Sequence, residues 1–248
     1  LNDEMSAASP LMRMATQRVL DTNTGVKWVR STGLPIAKWV DETGARVKSE
    51  AAELVTVDVK MNELYANPVA TQRFIDDAEV DVEAWIMRSL SDAFAAAESD
   101  GFFKGDGSNK PLGLLTAPGS LTASKANQVQ YVKTGVKGGF SPENGADALL
   151  NAMFTVDAVY RKNAAWLFNA ALMAEIRKMK DKSGRYIWSP ATQVGESPSL
   201  FGYPAYEEAY MQDLSAGSLV GAFGDFARAY MIVRRPHTTL IRDPYSEK

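Results

Sequence analysis

Between Val55 and Asn62 apolar and polar residues alternate without a break: Val55, Val57, Val59 and Met61 fall on one side, Thr56, Asp58, Lys60 and Asn62 on the other. A period of two marks a half-buried strand, because successive side chains of an extended backbone point to opposite faces. Upstream, GVKWVR at 25–30 reads as a second strand with Val26, Trp28 and Arg30 on one face. Between them, LPIAKWVDETGARVKSEAAEL (34–54) has two short extended runs around the polar turn Asp41-Glu42-Thr43-Gly44, a hairpin pattern. Its arms are rich in charge and poor in apolar residues. Such a hairpin cannot build a core of its own and is expected to project from the body and touch something else.

From Asp81 the period changes. Val82, Trp85, Ile86, Leu90, Ala93, Phe94 and Ala97 recur at helical spacing until Gly101, which predicts a helix of about five turns, roughly 30 Å long, capped by Asp81 and stopped by Gly101. Trp85 is placed on its apolar, core-facing side. Ser141-Pro142-Glu143 opens a second helix in the order N-cap, proline, early acid, with Ala146, Leu149, Leu150, Met153 and Tyr160 on the buried face. AAWLF (164–168) predicts a short buried strand, and NAALMAEIRKMKD (169–181) a third helix with Leu172, Ile176 and Met179 inward and basic residues in its last turns. After it, RYIW, SLFGYPAYEEA, SLVGAF, ARAYMIVRR and HTTLIRD read as strands between turns. Helices and strands come in blocks rather than in strict alternation, so the class is α+β.

Composition narrows the chemistry. A chain of 248 residues that is 46% hydrophobic can bury a substantial core, as one elaborate domain or two small ones. It has no cysteine, which excludes disulfides, thiolate metal sites and cysteine nucleophiles. The single histidine, His237, sits among β-branched residues and reads as a strand or surface residue rather than a base. A net charge of −3 with scattered Lys and Arg gives no support for nucleic-acid binding. No apolar run approaches the roughly 20 residues needed to span a bilayer, so a soluble chain is expected. The start, LNDEMSAASPLMRMA, has neither an initiator Met nor a signal-peptide profile, as expected of a trimmed N-terminus.

The glycine-rich stretch FFKGDGSNKPLG (102–113) invites a phosphate-loop reading. Lys110 is followed by Pro111 rather than Ser or Thr, the glycine spacing is too short, and a helix rather than a strand precedes it, so a turn is the better reading. An EF-hand loop after Asp106 fails because Lys110 falls where an oxygen ligand belongs. The adjacent carboxylates Asp41-Glu42, Asp76-Asp77 and Glu207-Glu208 do not by adjacency form a catalytic pair facing across a cleft. Trp166 joins Trp85 on an apolar face, and Trp28, Trp39 and Trp188 share no register, so no carbohydrate platform emerges.

Taken in order, RFIDDAEVDVEAWIMRSL, FFKGDGSNKPLGLL, WLFNAALMAEIRKMKDKSGRYIW, FGYPAY and VGAFGDFARAYMIVRRPHTTLIRDPY resemble the major capsid proteins of tailed phages with the Hong Kong 97 fold, and the capsid proteins of gene transfer agents (GTAs). The resemblance spans nearly the whole chain. It implies an α+β fold with a peripheral domain (long spine helix plus antiparallel sheet), an axial domain and an extended β-hairpin loop. On this chain that gives residues 1–33 as N-terminal arm and first peripheral strand, 34–54 as extended loop, 55–111 as peripheral domain with the spine helix, 112–225 as axial domain, and 226–248 as the return to the peripheral domain, whose final strand would lie beyond Lys248. The extended loop, with Lys38, Trp39, Asp41, Glu42, Arg46 and Lys48, is expected to lie over a neighbouring subunit. Gly105, Asp106, Gly107 and Pro111 would form the interdomain hinge, the glycines permitting positive φ and the proline stiffening the exit.

The implied function is structural: self-assembly into hexamers and pentamers of a virion shell around DNA that is enclosed without specific binding, in the host cytoplasm, with a portal and scaffold or decoration proteins as further partners. No catalytic residue, metal or cofactor is implied. One member of the family joins its subunits by a lysine–asparagine isopeptide bond. Here Thr56 stands at the matching lysine position, and the asparagine position falls near Lys248. An encapsulin-type nanocompartment shell and, from another class, a carboxylate-dependent hydrolase are the alternatives.

Overall fold

The computed structural model describes residues 9–21, 25–31, 39–40, 54–69, 81–122, 128–141, 145–180, 183–188, 198–236 and 238–241. In chain order its elements are α1 (Pro10–Met14), β1 (Thr16–Val19), β2 (Val26–Ser31), β3 (Leu54–Val59), α2 (Val82–Lys104), the two-residue strands β4 (Gly119–Ser120), β5 (Val129–Gln130), β6 (Gly135–Val136) and β7 (Gly139–Phe140), α3 (Gly145–Thr155), α4 (Ala158–Arg161), β8 (Ala165–Phe168), α5 (Ala170–Lys178), β9 (Ser199–Leu200), β10 (Tyr203–Glu207), β11 (Gly221–Gly224), α6 (Phe226–Ala229) and β12 (Met231–Arg234). Two compact units result. The first gathers Leu1–Arg18 and Asn62–Ile232, the second Val19–Met61 and Val233–Lys248.

The first unit is organised around β8. Its four residues are all buried, and it lies inside the sheet β11-β8-β10-β9, antiparallel to β11 and parallel to β10. The alternation of an extended strand splits its side chains between two cores. Trp166 and Phe168 join Leu149 and Met153 of α3 and Leu172 and Ile176 of α5. Ala165 and Leu167 join Leu11 and Met12 of α1, Phe102 and Phe103 of α2, and Phe226 and Ile232. A strand covered on both faces has no polar side, which is why AWLF is an unbroken apolar run. Gly221 of β11 is pressed against the Phe168 ring, where a Cβ would stand 2.8 Å from the ring carbons. Asn169 then starts α5: its Oδ1 accepts the Leu172 N–H at 2.8 Å, and its Nδ2 donates to the Gln212 carbonyl and to Asp213.

Helix α2 begins as its sequence predicts, with the Asp81 carboxylate accepting the Ala84 N–H at 3.0 Å. It does not stop at Gly101. It runs 23 residues to Lys104, about 34 Å at 1.5 Å per residue. Its buried residues are Val82, which the periodicity placed inward, then Ser91, Ala95 and Ser99, an i, i+4, i+8 stripe of small residues, and finally Gly101, Phe102 and Phe103. Trp85, placed by its periodicity in the core, is 60% exposed. The small stripe allows close packing of the helix, with Ser99 Oγ 3.4 Å from Met12 Sδ of α1.

Two further expectations shift. Tyr160 lies outside the buried face of the second helix, because α3 ends at Thr155 and α4 restarts after Asp157, leaving Tyr160 exposed. RYIW forms no strand, only a bridge between Lys180 and Tyr186, although Trp188 is buried. Residues 238–241 are not strand, and His237 lies outside the described residues. The FGYPAY turn is a tight two-residue hairpin: Phe201 (φ 52°) and Gly202 (φ 84°) join paired Leu200 and Tyr203, the geometry of a type I′ turn.

The second unit contains the antiparallel ribbon of β2 and β3, with Val26 opposite Val59 and Trp28 opposite Val57. Val57, Val59 and Met61 are half-buried while Thr56, Asp58 and Lys60 are exposed, so the alternation read from the sequence is the one observed.

If β8 divides the cores, Leu167→Ala should cost about 2–5 kcal/mol, as for other fully buried leucines. Trp85→Ala should change subunit stability by less than about 0.5 kcal/mol. Denaturant unfolding of the isolated subunit measures both, and the reverse ranking would move the core to the other face of α2.

Candidate assembly surface

The loop after α2 is a lasso folded back over the helix end. The Phe102 and Phe103 carbonyls accept the N–H groups of Leu114 (2.8 Å) and Leu115 (3.0 Å), so the terminal carbonyls of the helix are satisfied by the returning chain. Gly105 O accepts from Gly113 N (3.0 Å) and from Thr116 Oγ1 (2.5 Å). Asp106 and Leu112 form a bridge, and the Tyr230 hydroxyl donates to Leu112 O at 2.6 Å. The loop's polar groups are thus turned on the chain itself rather than out toward an anion. The Asp106 carboxylate accepts the Ser108 N–H at 3.0 Å, which holds its pKa below the usual value. Lys104 and Lys110 share the Asp100 carboxylate at 3.4 and 3.9 Å.

The structure therefore brings Gly105, Asp106, Gly107 and Pro111 into one loop, but the two glycines serve different needs. Gly107 has φ +74° and uses the left-handed region. Gly105 has φ −63°, contrary to the expectation of positive φ at both. It must lack a side chain because a Cβ would overlap the Pro111 carbonyl.

Of the six residues expected on the extended loop, Trp39 is fully exposed. Lys38, Asp41, Glu42, Arg46 and Lys48 lie outside the described residues, as do Asp76 and Asp77. The third carboxylate pair divides as neighbours on a strand do: Glu207 is exposed, while Glu208 is 1% exposed. Glu208 Oε2 accepts from Ser9 Oγ at 2.5 Å and from the Leu11 N–H at 3.5 Å, so a carboxylate 199 residues away holds the start of α1. Sequence reasoning missed this role, and only Ser9-Pro10, a helix-start signal, hinted at it. Burial pushes the Glu208 pKa up; the Ser9 hydroxyl, the Leu11 and Tyr210 N–H groups and the Arg13 charge oppose the shift without cancelling it. Among the described residues no group of three or more His, Asp or Glu could hold a metal ion, and no helix is long and apolar enough to cross a membrane.

The described fold is thus a four-stranded sheet with a long helix whose end is locked by the returning loop. It aligns with the capsid of a native GTA particle at a TM-score of 0.89 and 34% identity, covering 98% of this chain and 82% of that one. The capsid of an empty GTA particle gives 0.87 and 33%, covering 97% and 81%. A Gordonia phage Cozz structure matches at a TM-score of 0.57 and 16% identity over 88% of this chain and 69% of that one, a likeness of fold alone. No curated protein sequence matches. The profile of the phage capsid family matches residues 1–248, and the chain belongs to that family. It is a structural capsid protein of the Hong Kong 97 fold.

Glu208 gives the fold a pH dependence of definite sign. A carboxyl whose folded pKa lies above its ordinary 4.5 keeps its proton better in the folded state. Its stabilisation is full below the unfolded value and is lost as pH rises through the folded one. Glu208→Gln should therefore gain in melting temperature relative to the parent as pH rises from about 4.5 to 7. A constant difference across that range would show that Glu208 does not titrate in the folded chain.

Proposed function

We propose that this subunit assembles into hexamers and pentamers of an icosahedral shell that encloses DNA, in a phage, prophage or gene transfer agent, and that it has no catalytic activity. The observation that carries the reading is the match to the native GTA capsid over 98% of the chain. In this reading the hairpin 34–54 reaches over a neighbour, residues 55–111 hold the spine helix α2, and residues 112–225 meet their copies at the capsomer centre. The loop of Gly105, Asp106, Gly107 and Pro111 is the junction between these domains. Its bonds to Phe102, Phe103 and Tyr230 make it a stiff elbow rather than a free pivot. A mildly acidic chain suits a wall that confines DNA without gripping it, with a portal and scaffold or decoration proteins as partners in the host cytoplasm.

Negative-stain images of the full-length product should show closed particles of uniform size. Because Thr56 carries no amine, those particles should separate into monomers on a denaturing gel. A ladder of covalent oligomers would mean that another lysine, such as Lys48, does the joining. Failure to form particles at any salt concentration would overturn the shell reading.

Trp39 tests the extended loop. Its side chain is fully exposed, so Trp39→Ala should leave the circular dichroism spectrum unchanged. Loss of a desolvated aromatic anchor commonly costs about 2 kcal/mol or more per contact, so particle yield should fall. Charge reversal at Asp41 and Glu42 should act more weakly and fade with salt, exposed pairs being worth about 0.2–1 kcal/mol. Unfolding of the Trp39 variant, or assembly like the parent, would remove the loop from the interface.

A further inference from the structure

The corner between α3 and α4 carries a surface that the subunit leaves unfinished. Phe154, Val159 and Tyr160 are 64%, 77% and 43% exposed within seven positions. The Arg161 guanidinium lies 5.0 Å above the Phe154 ring and that of Arg228 5.5 Å above the Tyr160 ring, so both cations are held in place by stacking. Arg161 Nε is buried without a hydrogen-bond partner. Asp225 meets Arg228 only at 3.9 Å. Beside this patch a depression of about 340 Å³ opens, lined by Met14, Asn163, Asp225 and Arg228 among others. Aromatic rings, fixed arginines and an adjoining hollow form the kind of surface that dominates binding energy at protein interfaces. Its occupant must bring a carboxylate beside apolar or aromatic side chains.

The chain itself supplies that chemistry. Residues 62–69 have no regular structure and every one of them is exposed. Leu64, Tyr65 and Val69 are 47%, 83% and 75% exposed. Glu63 is the one charge in this segment. Resting on the shell reading, we propose that Glu63-Leu64-Tyr65 of one copy docks on the α3–α4 corner of a second copy, with the carboxylate at Arg161 and the tyrosine ring in the hollow beside Arg228. The two surfaces differ and every copy carries both, so the contact is head-to-tail. Repetition by a rotation that closes gives a ring, the form a capsomer requires.

The test uses the full chain with Arg161→Glu, Glu63→Arg and the pair together, read by sedimentation and negative stain, with circular dichroism as the folding control. Each single reversal should lower particle yield at least about tenfold, and the double reversal should return it to within about threefold of the parent, as charge pairs that set register do. A second measurement does not depend on how Arg161→Glu folds. The chain has no cysteine, so Tyr65→Cys with Asn163→Cys should give a ladder of disulfide-linked oligomers when assembled particles are oxidised. Single reversals that assemble like the parent, a double reversal no better than the singles, or a cysteine pair that yields monomers alone overturns this contact while the parent's particles leave the shell reading standing. A parent that forms no particles overturns the shell reading itself.

Discussion

A strand of four residues with no polar face sets the terms for the rest of the first unit. Because Trp166 and Phe168 point one way and Ala165 and Leu167 the other, β8 needs an apolar layer on each side. Each layer must come from elsewhere in the chain: α3 and α5 on one side, α1 and the end of α2 on the other. The shortness of β8 makes the requirement stricter. With four residues there is no spare ladder to absorb a slip, and a shift of one position would exchange the two sets of side chains between cores of different shape. The close approach of Gly221 of β11 to Phe168 fixes the register on one side, and the 3.2 Å bond from Trp166 Nε1 to the Leu200 carbonyl of β9, the strand beyond β10, fixes it on the other.

The second layer is the costly one, since its parts are far apart in sequence. Leu11 and Met12 must return to a sheet built from residues beyond 164, and closing so long a loop costs chain entropy that apolar contact has to offset. Two polar devices complete that layer. Glu208, at the end of β10, reaches the first turn of α1, and Tyr230 secures the lasso that ends α2. Both are long-range bonds, and the Glu208–Ser9 pair is buried away from water, so it is costly to break once made. The result is a unit whose stiffness is concentrated around β8, and whose outer helices and segments are not asked to contribute to it.

What could be read in the sequence follows from this division. Where a residue's partner is its own backbone or the adjacent strand, the pattern was enough: the alternation of β3, the apolar run of β8, the Asp81 cap and the inward Leu172 and Ile176 are all local statements. Where the partner is distant, the pattern misled or was silent. Trp85 has the spacing of a core residue, but the subunit buries the opposite, small-residue stripe of α2. Gly101 looked like a helix stop, yet the lasso returning from Pro111 supplies the partners that let the helix run on. Glu208 looked like half of an unremarkable acidic pair, because nothing in YEEAY reveals that Ser9 will be its partner. Of the six residues singled out on the extended loop, all but Trp39 fall outside the described residues, so their placement rests on the hairpin pattern and the resemblance.

The misreadings share a cause that bears on function. Periodicity reports which face of an element is apolar, not whether the covering layer belongs to the same molecule. A monomer that functions alone rarely leaves large apolar groups uncovered in clusters, whereas a shell subunit must, since those groups are the source of association energy. Trp39, Tyr65, Trp85, Phe154 and Val159 are exposed in one copy, and they belong to several segments of the chain, with Phe154 and Val159 together at the α3–α4 corner. That distribution suits assembly. A closed shell requires each subunit to meet several neighbours at once, and many modest contacts can form and correct themselves, while one very strong contact would trap misplaced subunits. The core around β8 can then be rigid and permanent because the adjustable contacts have been moved to the surface.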